Sequence, residues 1–222
     1  VLIPYRGDYG PRDAIFDWIL KRYEALFPDY EICIGTTSSE PFNRSKARNE
    51  AFNGSSGDVL LVADADTVPE PGPLRQAEFA LETVAPWVIP YNTYYNLGRK
   101  ASGKILARPP FGDVKFAEKD CEHVIKSTAG MLMMTRDAWY EVGGYDERFI
   151  GWGYEDNAFQ LCLDTLVGPH RRILDGRGIH LWHPAPNEVR FGQPLIRHNR
   201  ELFGEYVKAR GNPSRMRRVR GL

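Results

Sequence analysis

Only three cysteines, Cys33, Cys121 and Cys162, occur in the 222 residues, widely spaced and odd in number. That excludes a disulfide framework, and Cys33 and Cys162 lie in apolar stretches that suit small core residues. A reducing, cytoplasmic compartment is the expectation. No run approaches the roughly 18 apolar residues of a membrane-spanning helix. The opening Val1-Leu2-Ile3-Pro4 is too short for a signal peptide and lacks its basic start. An excess of charge is missing too, with 29 Lys+Arg against 29 Asp+Glu. No overall field therefore draws the chain to nucleic acid or membrane. There is no internal repeat, no low-complexity linker and no Gly-rich Walker loop for phosphate. What is there is ordinary for a globular protein, 42% hydrophobic and 26% charged. The length suits one domain with a substantial core, read as residues 1–210, followed by a basic tail over 211–222.

The pattern predicts alternating strands and helices. Val1–Tyr5 reads as a strand, Asp13–Leu26 as a helix, Tyr30–Ile34 as a strand and Ser45–Phe52 as a helix. Val59–Ala63 then has the aliphatic content of a strand buried on both faces. Three strands with two intervening helices point to βαβ crossovers and a mainly parallel central sheet flanked by helices, the α/β class. Trp87–Tyr91, Gly130–Thr135 and part of Arg172–Trp182 are further strands. Arg136–Val142, Tyr154–Leu166 and Leu195–Ala209 are further helices. Asn92–Lys126 is expected to be a long irregular segment on the side of a second substrate. The Arg-rich stretch Arg215–Arg220 reads as a solvated end.

Three constellations carry chemistry. Asp64-Ala65-Asp66 follows the buried strand directly, at the end of the sheet where open α/β proteins bind ligands. Carboxylates beside a core need a partner, and a divalent cation is a common one. His180-Leu181-Trp182-His183 offers imidazoles that Mn²⁺ accepts, whereas Mg²⁺ usually keeps water. The plain alternative for each histidine is one ordinary hydrogen bond. Next, Gly151-Trp152-Gly153-Tyr154-Glu155-Asp156 sets an aromatic ring on a glycine turn before two acids. Acids at a helix start gain from the dipole alone, but the ring is also a platform for the apolar face of a sugar. A neighbouring carboxylate can then take a proton from an attacking hydroxyl. Last, Phe42-Asn43-Arg44-Ser45-Lys46-Ala47-Arg48-Asn49 is either a helix start with a solvated basic face or a frame for a base and a phosphate.

These segments, with Ile3-Pro4-Tyr5-Arg6, occur in the order and rough spacing of the beta-1,4-galactosyltransferase family, in its C-terminal catalytic part. The Gly-Trp-Gly-x-Glu-Asp segment is also similar to polypeptide N-acetylgalactosaminyltransferases and bacterial glycosyltransferases. The resemblance implies a GT-A fold and a metal-dependent hexosyltransferase using a nucleotide diphosphate sugar, with UDP as the expected nucleotide. It implies that Pro4, Tyr5, Arg6, Phe42 and Arg44 line the nucleotide site and that Asp64 contacts ribose or sugar. Asp66 and His183 would bind Mn²⁺, with Mg²⁺ as the alternative, and His180 stands where the family has a methionine ligand. Trp152 and Gly153 would touch donor phosphate and acceptor sugar. Asp156 would be the base of an inverting transfer, with Glu155 binding a sugar. Tyr154 replaces a glycine of that family. The acceptor is open between a glycan, a protein and a modified nucleic acid. The alternatives are a retaining glycosyltransferase, a nucleotidyltransferase, and a non-catalytic carbohydrate-binding module.

Overall fold

Short strands and helices alternate through the first part of the chain: β1 (Leu2–Pro4), α1 (Pro11–Leu26), β2 (Cys33–Gly35), α2 (Arg44–Asn53), β3 (Val59–Ala63), α3 (Pro71–Thr83) and β4 (Trp87–Ile89). The order continues with β5 (Thr93–Leu97), α4 (Arg99–Leu106), β6 (Cys121–Ile125), β7 (Met131–Thr135), α5 (Arg136–Val142) and α6 (Glu155–Leu166). It closes with β8 (Arg171–Arg172), β9 (Arg177–His180), α7 (Gln193–Ala209) and α8 (Pro213–Arg220). The computed structural model describes residues 1–184 and 193–222. The central sheet has the order β2-β1-β3-β7-β4-β8. Among the described residues only β7 runs against its neighbours in this sheet, pairing antiparallel with both β3 and β4. The mainly parallel sheet flanked by helices is thus the architecture found. Leu60, Leu61 and Val62 of β3 and Met131–Met134 of β7 are buried at its centre, as a strand covered on both faces requires.

A second sheet, β6-β5-β9, stands beside the first. β5 and β9 run parallel, with Asn96 opposite His180. An isolated bridge from Thr67 to His180 joins this sheet to the turn after β3. That bridge brings the far end of the chain to the Asp pair.

Four expectations need correction. The strand read over Tyr30–Ile34 begins only at Cys33, where pairing with β1 starts. Asn92–Lys126 is not irregular throughout, since it holds β5, α4 and β6. Gly103 inside α4 obscures that helix in the sequence. α3 escapes the periodicity reading because Pro71-Gly72-Pro73 looks like a loop, yet proline is tolerated in the first turn of a helix, where its missing N–H costs nothing. The stretch read as a solvated tail is instead largely a helix. Asn212 caps α8 by accepting from the Arg215 amide, and Met216 is completely buried. Arg220 donates to the carbonyls of Val142, Gly143 and Gly144, closing the C-terminus of α5.

Candidate active site

β3 ends at Ala63, and the Asp64 amide donates to the Gly130 carbonyl at 2.8 Å, so the chain leaves the sheet in step with β7. The next residues turn sharply, the Thr67 amide donating back to the Asp64 carbonyl at 3.2 Å. Asp64 and Asp66 consequently face different partners.

Asp66 faces the end of β9. The Leu181 amide donates to its backbone carbonyl at 2.9 Å, which fixes the segment 180–183 alongside it. Its carboxylate lies 3.1 Å from Nε2 of His183 and 3.5 Å from Nε2 of His180. One ligand atom from each of the three residues falls within 4.8 Å of the others. Nδ1 of His183 sits 2.9 Å from the Pro184 carbonyl. With the Pro184 carbonyl accepting from Nδ1–H, Nε2 is turned towards Asp66, the orientation of a metal-binding imidazole. A carboxylate with two imidazoles is a hard and borderline donor set that suits Mn²⁺. Burial pushes the Asp66 carboxyl up, but His180 and His183 more than offset it and hold it well below the usual carboxylate range. Burial lowers His183, and the hydrogen bond and charge of Asp66 raise it above its ordinary value. Residues 66, 180 and 183 are thus brought together in the structure.

Asp64 faces α2. Nη2 of Arg48 donates to Asp64 Oδ1 at 2.7 Å. The same guanidinium reaches Asp156 Oδ1 at 3.2 Å and Glu155 Oε1 at 3.8 Å, while Nε of Arg44 lies 3.3 Å from Glu155 Oε1. α2 is held in register for this by two asparagines. Asn43 accepts from the Lys46 amide as the N-cap and donates to the Glu147 carbonyl, and Asn49 bonds both backbone groups of Tyr145. Gly35 of β2 permits the approach of α2, since a Cβ there would lie 1.8 Å from the Ala47 carbonyl oxygen.

Glu155 and Asp156 open α6 and are both buried. Gly153 has φ +105° and Tyr154, unusually for a bulky residue, φ +74°. These two left-handed steps turn the chain so that the Gly153 amide donates to Glu155 Oε2 at 3.0 Å. Tyr154 is kept in that conformation by stacking on Phe203 and by Arg200, which donates to its hydroxyl. Its ring is therefore occupied by α7. Asn199 of α7, also buried, donates to the carbonyls of Ile150 and Trp152 and accepts from the Ile150 amide. Trp152 remains 49% exposed, a ring held out on a braced turn.

The two acids are driven apart by their surroundings. Burial would raise Glu155, but Arg44, Arg48 and the Gly153 amide hold it below its ordinary value. Burial raises Asp156 to about 7, with Arg48 opposing the rise and Glu155 and Asp64 adding to it. A buried carboxyl titrating near neutrality is suited to proton transfer.

At the C-terminal end of β1, Arg6 lies over the Phe42 ring at 5.1 Å and donates to the carbonyls of Thr37 and Ser39. Pro4 is buried in β1, and Tyr5 turns to α1, where its ring meets Phe16 and its hydroxyl Asp13. Arg6 and Phe42 are thus the side chains of this set that stack on one another, while Arg44 reaches across to Glu155. Three contributors were not singled out from sequence. Arg48 is one helical turn from Arg44 on the same face, which was the available signal. Tyr145 lies beneath Arg48, its hydroxyl 3.3 Å from Asp156 Oδ1. Nothing in the sequence marks Asn199, a polar residue within a helix.

A family model described as the N-terminal domain of galactosyltransferase matches residues 114–163. The segment ends inside α6 and includes the Gly-Trp-Gly turn and both buried acids. The chain resembles the beta-1,4-galactosyltransferases. Beta-1,4-galactosyltransferase 4 of Cricetulus griseus is 25% identical over 173 residues, covering 74% of this chain and 42% of that protein. The chain thus spans less than half the length of this relative. Among solved structures, a mutant Drosophila beta-1,4-galactosyltransferase 7 with manganese, UDP-Gal and xylobiose aligns at TM-score 0.48 and 16% identity, over 85% of this chain and 71% of that one. Glucosyl-3-phosphoglycerate synthase of Mycobacterium tuberculosis, with Mn²⁺, UDP and phosphoglyceric acid, aligns at TM-score 0.48 and 12% identity, over 95% and 77%.

Proposed function

We propose that this chain is a metal-dependent glycosyltransferase that moves a hexose from a nucleotide diphosphate sugar, with UDP as the nucleotide, to an acceptor hydroxyl with inversion. The observation that carries the reading is the meeting of Asp66, His180 and His183 from distant segments, while the neighbouring Asp64 belongs to a second cluster that contains Asp156. Asp66, His180 and His183 would hold Mn²⁺, which offsets negative charge on a leaving diphosphate. The relatives' names and complexes support that donor and metal.

The side chains divide the remaining work. Arg6 and Phe42 form a cationic and aromatic surface for the base and phosphates of the donor. Trp152 presents a ring face to a sugar. Glu155, kept ionised by two arginines, accepts hydrogen bonds from sugar hydroxyls. Asp156 takes the proton of the attacking hydroxyl, worth roughly 10²–10⁴-fold in rate. The acceptor oxygen bonds to the anomeric carbon on the face opposite the diphosphate as the carbon–diphosphate bond breaks, which inverts the configuration. A glycan is the acceptor class favoured by the exposed Trp152. The three free cysteines fit a reducing compartment, and among the described residues no helix is long and apolar enough to cross a membrane.

The test is hydrolysis or transfer from a panel of UDP-sugars with Mn²⁺, read by UDP release and by proton NMR of the new linkage. UDP release that needs Mn²⁺ and disappears in Asp66→Ala supports the reading. Release that Asp66→Ala leaves untouched would remove the metal cluster from the mechanism, and a product of retained configuration would remove Asp156 as base.

A further inference from the structure

Arg48 is 1% exposed and, among the described residues, is the one side chain forming ion pairs with all three carboxylates Asp64, Glu155 and Asp156. Its guanidinium carbon lies over the Tyr145 ring, 4.6 Å from the centroid, and Phe159 stacks on Tyr145 in turn at 3.9 Å. Nη1 is close enough to Asp156 for an ion pair, yet among the described residues neither Nη1 nor Nε has a hydrogen-bond partner. Burying an arginine that leaves N–H groups unpaired is costly, and stability alone does not explain its presence. What it does accomplish is geometric. It ties the carboxylate that leaves β3 to the carboxylate that opens α6.

We propose that Arg48 is a positioning residue that couples Asp64 to Asp156 and biases Asp156 towards its ionised, proton-accepting form. The proposal rests on the reading of Asp156 as the base and adds a determinant of its protonation. The groups facing Asp156 are Arg44 and Arg48 from α2, Asp64 from the end of β3, Glu155 from α6, Tyr145 from the turn after α5 and Tyr91 from the end of β4. Two cations therefore face three carboxylates, a balance that favours keeping one proton on a carboxyl. Both Glu155 and Asp156 are buried, but Arg44, Arg48 and the Gly153 amide hold Glu155 ionised, so Asp156 is the carboxyl that keeps the proton, and Arg48 limits how firmly it does so. Without Arg48 a single cation faces the same three acids.

The experiment combines two readouts in wild type, Arg48→Met and Arg48→Lys: the pH profile of Mn²⁺-dependent UDP-sugar turnover, and the titration of the Asp156 carboxyl carbon by NMR, assigned by its loss in Asp156→Asn. In Arg48→Met the acid limb of the profile and the Asp156 titration both move up by roughly 1–3 pH units, the effect of removing an adjacent opposite charge. Arg48→Lys recovers part of that displacement. A folded Arg48→Met protein that titrates like wild type, or that loses rate equally at every pH, overturns the proposal. Should Arg48→Met fail to fold, Asp64→Asn supplies the converse arm, because it removes a competing anion and moves the Asp156 titration down; an unchanged or higher value overturns the proposal. The carboxyl titration needs no turnover. A displaced titration in a protein inactive towards every UDP-sugar would sink the catalytic reading, and an undisplaced one in an active enzyme would sink the role of Arg48.

Discussion

Replacing Asp156 with asparagine should separate catalysis from stability in opposite directions. Asparagine keeps the size of the side chain and the contact with the Tyr145 hydroxyl but cannot accept a proton. Turnover should fall by roughly 10²–10⁴-fold, the worth of a general base. Stability should behave differently. In the folded protein the Asp156 carboxyl titrates at about 7, against an ordinary value of 3.8. A carboxyl raised in this way contributes stability that is fully present below the unfolded value. That contribution declines as pH rises between the two values and is gone above the folded one. The span corresponds to roughly 4 kcal/mol. Asparagine has no such dependence. The stability of Asp156→Asn relative to wild type should therefore increase from about pH 4 to about pH 7 and stay level beyond. Urea unfolding at several pH values measures it. A variant that keeps its turnover refutes the role of Asp156 as base. A stability difference that does not change with pH, or that shrinks as pH rises, refutes the account of its protonation.

Other outcomes follow from the same contacts. Wild-type turnover at saturating Mn²⁺ should rise with pH and level off above about 7, the limb belonging to Asp156; a rate already level at pH 5 would count against it. Trp152→Ala removes a ring that is 49% exposed, so it should raise the KM for acceptor while leaving thermal stability within about 0.5 kcal/mol. Met216→Ala should destabilise by about 2–5 kcal/mol in urea unfolding because Met216 is fully buried. A neutral result there would return the C-terminal stretch to the status of a solvated end.

How much of this was legible in the sequence depended on whether a feature was local. Val59–Ala63 announced itself by its aliphatic run, and Asp64 and Asp66 by following it. The Gly-Trp-Gly turn was visible because its glycines and acids are contiguous. Residue chemistry and the resemblance suggest joining Asp66 to His180 and His183, but the joining itself is not local, since it depends on β9 lying beside β5 and on the Thr67–His180 bridge. Arg48 was hidden because a basic residue on an amphipathic helix usually faces water, and only the packing of α2 over Gly35 turns it inward. α3 was missed because prolines at a helix start look like those of a loop. The packing of α8 is hidden because its four arginines read as a solvated stretch, while a single buried Met216 decides how the helix docks.

The most direct measurement of the central claim is Mn²⁺ binding followed by electron paramagnetic resonance in wild type and in His183→Ala, with and without UDP. The account predicts one bound ion in wild type, held more tightly when UDP is present, and an affinity lowered by roughly 10–100-fold or more in the variant. Equal Mn²⁺ affinity in the two proteins, or UDP binding that is indifferent to the ion, would contradict it.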